Sequence, residues 1–201
     1  MANLFPIFMK LERRRVLVVG AGAIAEQKLG GLLQAGAEVH VVAPVASERV
    51  QSLAASGEVQ WAQRKYTASD LDGAVLVVAA TGAPQVNDLI YRDASALGIL
   101  CNAVDEPERC HFYYPAVVQR GDLQIAISTA GQSPALAQRI RKELEQRFDA
   151  GYADWLDWLG TVRRFLFTKP IDPQRRRSVL HRIARADVYE NYQRSKRAGA
   201  A

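Results

Sequence analysis

The stretch Val16-Leu-Val-Val-Gly-Ala-Gly-Ala-Ile-Ala25 decides the reading of this chain. Its apolar run ends in Gly20-x-Gly22-x-x-Ala25, and Lys28, Leu29, Leu32 and Leu33 follow in a helical pattern. A strand, a tight turn and a helix in that order aim the first helical amides at one point, where a pyrophosphate can sit. Gly20 permits the turn, Gly22 lets the backbone approach the phosphates, and Ala25 lets helix and strand pack closely. A second strand, 38–43, follows Gly36-Ala37 and completes a βαβ unit. A glycine pattern alone is weak, and a ligand-free glycine-rich turn is the alternative. The strand before the pattern and the helix after it favour a dinucleotide site.

Working outward, strands are expected at 15–19, 38–43, 59–63, 74–80 and 99–102, with helices at 23–35, 47–56 and 84–97, the last carrying Pro84 in its first turn. Short apolar strands alternating with helices predict an α/β chain, a Rossmann-like parallel sheet covered on both faces. The pattern changes at Pro107. Segments 111–115, 116–120 and 123–128 read as short strands, Gly121-Asp122 as a hairpin turn, and Leu123, Ile125 and Ile127 alternate as a half-buried strand does. Ser133-Pro134 reads as the start of a helix to about residue 148, and the rest as helices broken at Gly160 and around 169–173. The expected division is a dinucleotide-binding domain over 1–106, a small β-containing dimerisation and substrate region over 107–149, and a basic helical domain over 150–201. A hairpin of this size rarely stands alone, so pairing with a second copy is expected.

At 201 residues and 49% hydrophobic, the chain can bury a real core. No apolar run approaches a membrane span, and residues 1–9 lack the basic leader of a signal peptide. Two cysteines, Cys101 and Cys110, make no disulfide framework, and a cytoplasmic protein is expected. The net charge of +5 is uneven: residues 151–201 hold 11 Lys/Arg against 5 Asp/Glu, the first 150 residues 15 against 16. Such a segment attracts a polyanionic partner or is the solvated face of amphipathic helices. No nucleic-acid module is recognisable in it. Cys110 and His111 are adjacent and would face opposite ways on a strand, so no metal site is expected. His40, inside a strand, reads as a packed core residue, and His181 as part of a basic helix.

Asp105 is the candidate catalytic residue. It lies just past the fifth strand, and doubly wound folds bind ligands beyond the carboxyl ends of their strands. A carboxylate there can accept a proton; a loop-capping Asp is the alternative. Thr81-Gly82 after the fourth strand, and Asn102 on the fifth, are placed to meet the ribose and nicotinamide of a dinucleotide, or form plain turns. The acidic residue expected to hold an adenosine ribose is missing, with Val42-Ala43-Pro44-Val45 in its place, so spacing does not separate NAD from NADP. In Ser128-Thr-Ala-Gly-Gln-Ser133, the hydroxyls of Ser128, Thr129 and Ser133 and the amides near Gly131 suit substrate carboxylates, or cap the helix that follows.

Together, Pro6-Ile-Phe, Gly20-x-Gly22-x-x-Ala25-x-x-Lys28, Val41-Val-Ala-Pro44, Ala79-Ala-Thr81, Asn87, Cys101-Asn-x-Val-Asp105 and Ser128-Thr-x-Gly-x-Ser-Pro-Ala-Leu-Ala137 resemble one family over residues 4–150. It is the precorrin-2 dehydrogenase/sirohydrochlorin ferrochelatase family, the N-terminal module of siroheme synthase. The resemblance implies a homodimer with an interdigitated central domain and two reactions in one site: NAD+ oxidises precorrin-2 to sirohydrochlorin, and Fe2+ is then inserted to give siroheme. It implies that Asp105 serves both, and that Gly20, Gly22, Ala23, Ile24, Pro44 and Val45 contact NAD. It implies no resident metal, Fe2+ being a substrate that Asp105 can meet. Two departures stand out: Ala130 replaces a common glycine, and Gly82-Ala83 replaces frequent polar residues. No methyltransferase domain follows, so a separate uroporphyrinogen methyltransferase is expected to supply precorrin-2. A dehydrogenase without chelatase activity and a non-catalytic dinucleotide-sensing module are the alternatives.

Overall fold

The computed structural model describes residues 4–199, the Arg197 side chain excepted. Five strands, β1 (Arg15–Val19), β2 (Glu38–Val42), β3 (Val59–Ala62), β4 (Leu76–Ala79) and β5 (Leu100–Ala103), form one parallel sheet in the order β3-β2-β1-β4-β5. Their apolar runs are buried because helices cover both faces. On one side α1 (Ala23–Gln34) and α2 (Glu48–Ala55) bring Ala25, Leu29, Leu32 and Val50 onto Val16, Val18, Val39 and Val41. On the other, a 3₁₀ turn (Ala68–Leu71) and α3 (Pro84–Ala96) bring Leu71, Ile90 and Ala94 onto Leu17, Val19, Val77 and Cys101. The chain reverses its direction of winding between β1 and β4. That switch point opens a crevice beyond the strand ends.

The described residues divide into two compact units, one running to Tyr113 and one from Tyr114. The expected boundaries at 106/107 and 149/150 do not coincide with this division. Residues 107–113 stay with the first unit because β5 holds them: Cys110 bridges Asn102, the His111 N–H donates to Cys101 O (2.8 Å), and the Cys101 N–H donates to His111 Nδ1 (3.0 Å). Segment 111–115 is accordingly no strand, its aromatic residues notwithstanding.

In the second unit β6 (Ala116–Arg120) and β7 (Leu123–Ile127) form the expected antiparallel hairpin. Helices α4 (Pro134–Arg147), α5 (Gly151–Phe167), α6 (Pro173–Ile183) and α7 (Ala186–Gly199) follow. The hairpin is not bare: α4 and α5 pack on it, Val118 is fully buried, and the Arg120 guanidinium donates to Phe148 O (2.8 Å) and Glu145 O (3.1 Å). One face is thus covered within the chain, while Val117 and Ala126 on the other stay exposed. Gly160 does not break α5. An interior glycine costs a helix roughly 1 kcal/mol, and Tyr152 and Trp155 anchor the helix by stacking on Tyr189 of α7, with ring centroids 4.2 and 4.9 Å apart.

Candidate functional site

The first turn is built as its sequence implies. Gly20 sits at φ +106°, where a Cβ would lie 2.3 Å from Ala80 O, so no side chain fits. Gly22 is the N-cap of α1 and contributes no side-chain cap; a Cβ there would meet nothing within 4 Å. The first helical bond is made by Glu26 N–H to Gly22 O (3.1 Å), which leaves the N–H groups of Ala23, Ile24 and Ala25 pointing out of the helix end. Open space in front of three unused amides is what a pyrophosphate requires.

Beside this turn lies a pocket of about 440 Å3 lined by Ile24, Thr81, Gly82, Asn87, Asp105 and Glu106, among others. It stands at the switch point, where the loops after β4 and β5 meet the start of α1. Asp105 is exposed and has no hydrogen-bond or ion-pair partner among the described residues. It occupies a turn closed by Glu106 N–H to Ala103 O (3.2 Å), at φ +63°. Asp and Asn tolerate that left-handed geometry better than most residues. Its backbone is therefore tightly determined while its carboxylate is left free.

Pro44 and Val45, both exposed, follow β2. Their loop is tied to the glycine turn by Ser47 N–H to Ala21 O (3.0 Å) and by Gly20 N–H to Val42 O (2.9 Å). Asn102 departs from expectation: it does not line the pocket. It is buried, and its amide donates to Phe112 O (2.8 Å), so it secures the 107–113 segment instead. His40 also departs, being half-buried, with a pKa lowered by desolvation and by Arg15 nearby. Burial pushes the Cys101 thiol up to about 12, so it stays protonated. No group of three metal-ligating side chains exists among the described residues.

Two features escaped the sequence reading. The buried Asn87 and its neighbour in the pocket, Glu106, are joined by a hydrogen bond of 3.0 Å. Asp70, also buried, pairs with Arg64 and receives the Thr67 N–H (2.9 Å). The Arg64 guanidinium holds its carboxyl below the usual carboxylate range. The Thr67-x-x-Asp70 spacing, which resembles a capping box, was the available signal.

In the second unit the Ser128–Ser133 turn satisfies itself. Ser128 Oγ accepts the Ala130 N–H (3.1 Å), Thr129 Oγ1 the Ser133 N–H (3.2 Å) and Ser133 Oγ the Leu136 N–H (3.2 Å). Ala130 and Gly131 both take positive φ, +51° and +81°.

A family model described as NAD(P)-binding matches residues 7–116, and one described as the sirohaem biosynthesis protein central region matches 120–147. This chain belongs to the NAD(P)-binding family whose model spans residues 7–116. Siroheme synthase 3 of Aeromonas hydrophila is 36% identical over 182 residues, 90% of this chain and 39% of that protein. The siroheme synthase of Chromobacterium violaceum is 43% identical over 148 residues, 74% of this chain and 32% of that protein. The chain thus spans two-fifths or less of these curated relatives. The solved structure of SirC, a precorrin-2 dehydrogenase, superposes with a TM-score of 0.80 at 29% identity, covering 92% of both chains. Its architecture is shared by both units of this protein.

Proposed function

We propose that this chain oxidises precorrin-2 to sirohydrochlorin with NAD+ and then inserts Fe2+ into the product. One observation carries the reading: the unpartnered Asp105 carboxylate in the pocket beside the glycine turn. The amides of Ala23, Ile24 and Ala25 fit the pyrophosphate of NAD, and Pro44-Val45 the adenosine side. Bound NAD+ would supply the hydride acceptor. Asp105 Oδ accepts the proton released as the tetrapyrrole loses hydride, and Thr81 and Gly82 form the wall beside it. For iron insertion the same carboxylate accepts the two pyrrole N–H protons that Fe2+ displaces one at a time, releasing the first to water before taking the second. Ser128, Thr129 and Ser133 are proposed to meet substrate carboxylates through hydroxyl protons that remain available while their oxygens cap the turn, and Gly131 through its backbone N–H.

A homodimer belongs to this reading. The hairpin has two unpaired edges and an exposed face carrying Val117 and Ala126, surface that a second copy can cover. Precorrin-2 would come from a separate uroporphyrinogen methyltransferase, and the setting would be cytoplasmic, where Cys101 and Cys110 stay reduced. The test is one cuvette with protein, precorrin-2 and NAD+, followed with and without Fe2+. Reduced nicotinamide should appear together with sirohydrochlorin, and Fe2+ should convert the product spectrum. Oxidation without iron insertion leaves a dehydrogenase alone; NAD binding without turnover leaves a sensor.

A further inference from the structure

Asn87 is one of three buried polar side chains among the described residues of the first unit, and it faces the dinucleotide pocket. Every atom of its amide is used. Oδ1 accepts from Thr81 Oγ1 (2.6 Å) and from Thr81 N–H (3.3 Å); Nδ2 donates to Glu106 Oε1 (3.0 Å) and Thr81 O (3.4 Å). Reversing the amide would set NH2 against the Thr81 N–H and oxygen against the Glu106 carboxylate, so its orientation is fixed by Glu106. Glu106 is fixed in turn: Arg109 Nη1 donates to its other oxygen (2.6 Å), and Arg109 Nε donates to Asp88 (2.9 Å), the residue after Asn87 on α3. Asn87 and Asp88 therefore clip the Asp105–Arg109 loop onto α3 at two points.

The clip has a chemical consequence at Thr81. A hydroxyl has one proton, and the short bond to Asn87 Oδ1 takes it in preference to Ala83 O (3.1 Å). The Ala83 N–H occupies one lone pair (3.2 Å), which leaves the other for the pocket. Thr81 thus offers its ligand an acceptor and no donor.

We propose that Asn87 and Glu106 are positioning residues that hold the Thr81 hydroxyl as a hydrogen-bond acceptor for the carboxamide NH2 of the nicotinamide, and that keep the Asp105 turn against it. The proposal rests on the reading of this pocket as the dinucleotide site. The carboxamide is the donor chosen because Asp105 and Thr81 share one pocket, and the reacting ring must lie beside Asp105.

The experiment compares calorimetric affinities for NAD+ and for its neutral acetylpyridine analogue, in which a methyl group replaces the carboxamide NH2. The wild-type protein should favour NAD+. In Glu106→Gln, a side chain that satisfies Asn87 turns its NH2 against Arg109, or the reverse, so the clip loosens. The preference for NAD+ should shrink about 3- to 10-fold, the weight of one hydrogen bond. Turnover should fall with the KM for precorrin-2 unchanged. Arg109→Met tests the same link from its outer end should Glu106→Gln fail to fold. Asp105→Asn should keep the full preference whatever it does to turnover, which separates this proposal from the assignment of the base. An unchanged preference in folded Glu106→Gln and Arg109→Met overturns the relay alone. A wild-type protein that binds neither dinucleotide overturns the pocket assignment and the relay with it.

Discussion

Two turns in this protein carry a strand directly into a helix, and they treat the helix end in opposite ways. Between β1 and α1 the turn is made of glycine and alanine, no side chain caps the helix, and three amides are left over. Between β7 and α4 the hydroxyls of Ser128 and Thr129 are spent on the turn's own amides, and a third, that of Ser133, caps the helix. Both helix ends carry the same partial positive charge. What separates them is whether the protein has already satisfied the donors. An anion site on the first needs only the ligand's own oxygens, whereas on the second it must work through hydroxyl protons or compete with the cap.

The largest effect expected follows from placing the chemistry beside the first turn. Asp105→Asn keeps shape and tolerance of positive φ but removes the base, so dehydrogenation should fall by about 10²–10⁴-fold. NAD binding should persist. Rapid assays of the oxidation and iron-insertion steps on the purified variant measure both losses. Near-wild-type oxidation would make Asp105 a loop residue and leave the pocket with Glu106, bonded to Asn87 and Arg109, as its remaining carboxylate.

Next comes Gly22→Asp, aimed at the unused amides. The new carboxylate would occupy the phosphate position, accept those N–H groups itself and repel the ligand; roughly 100-fold or more should be lost in NAD affinity. The fold should survive, because a Cβ at Gly22 meets nothing and Asp is a favoured N-cap. The substitution converts the first turn into a copy of the second. Calorimetry showing unchanged NAD affinity would place the pyrophosphate elsewhere.

These two sites also mark how far the sequence could be read. The β1–α1 turn was legible because strand, glycines and helix are contiguous, and each carries its own local signal. The place of Asp105 at the pocket was legible from its position after a strand end. The Asn87–Glu106 bond was not: 19 residues separate the partners, and no periodicity links a helix to a loop across a sheet edge. Asn102 misled for a similar reason. It is at a strand end, as a ligand-binding residue should be, yet the carbonyl of Phe112 ten residues later claims its amide. Gly160 misled because its local cost is outweighed by aromatic packing between α5 and α7, which no window of sequence displays.

A smaller effect tests the self-satisfied turn. Ser133→Ala removes the α4 cap and should cost about 1 kcal/mol of stability, read as a lower urea midpoint. NAD affinity should not change. Should precorrin-2 bind more weakly as well, by more than the loss of stability accounts for, the hydroxyl serves the substrate in addition to the helix.

The smallest effect concerns Ala130, and its sign is the informative part. Ala130 sits at φ +51°, where an L-residue costs about 1–2 kcal/mol relative to glycine's indifference. Glycine brings a cost of its own, roughly 0.5–1 kcal/mol of extra unfolded-chain entropy. The difference favours Ala130→Gly by at most about 1.5 kcal/mol. The bond from its N–H to Ser128 Oγ is made by the backbone and is kept. The urea midpoint should therefore rise slightly with an unchanged slope. At Gly20 the reverse exchange meets Ala80 O at 2.3 Å and should be far more damaging, although both residues have positive φ. A midpoint that falls for Ala130→Gly would mean that the alanine methyl makes a contact worth more than the backbone strain. The two turns would then differ in what their side chains bind, as well as in how their amides are satisfied.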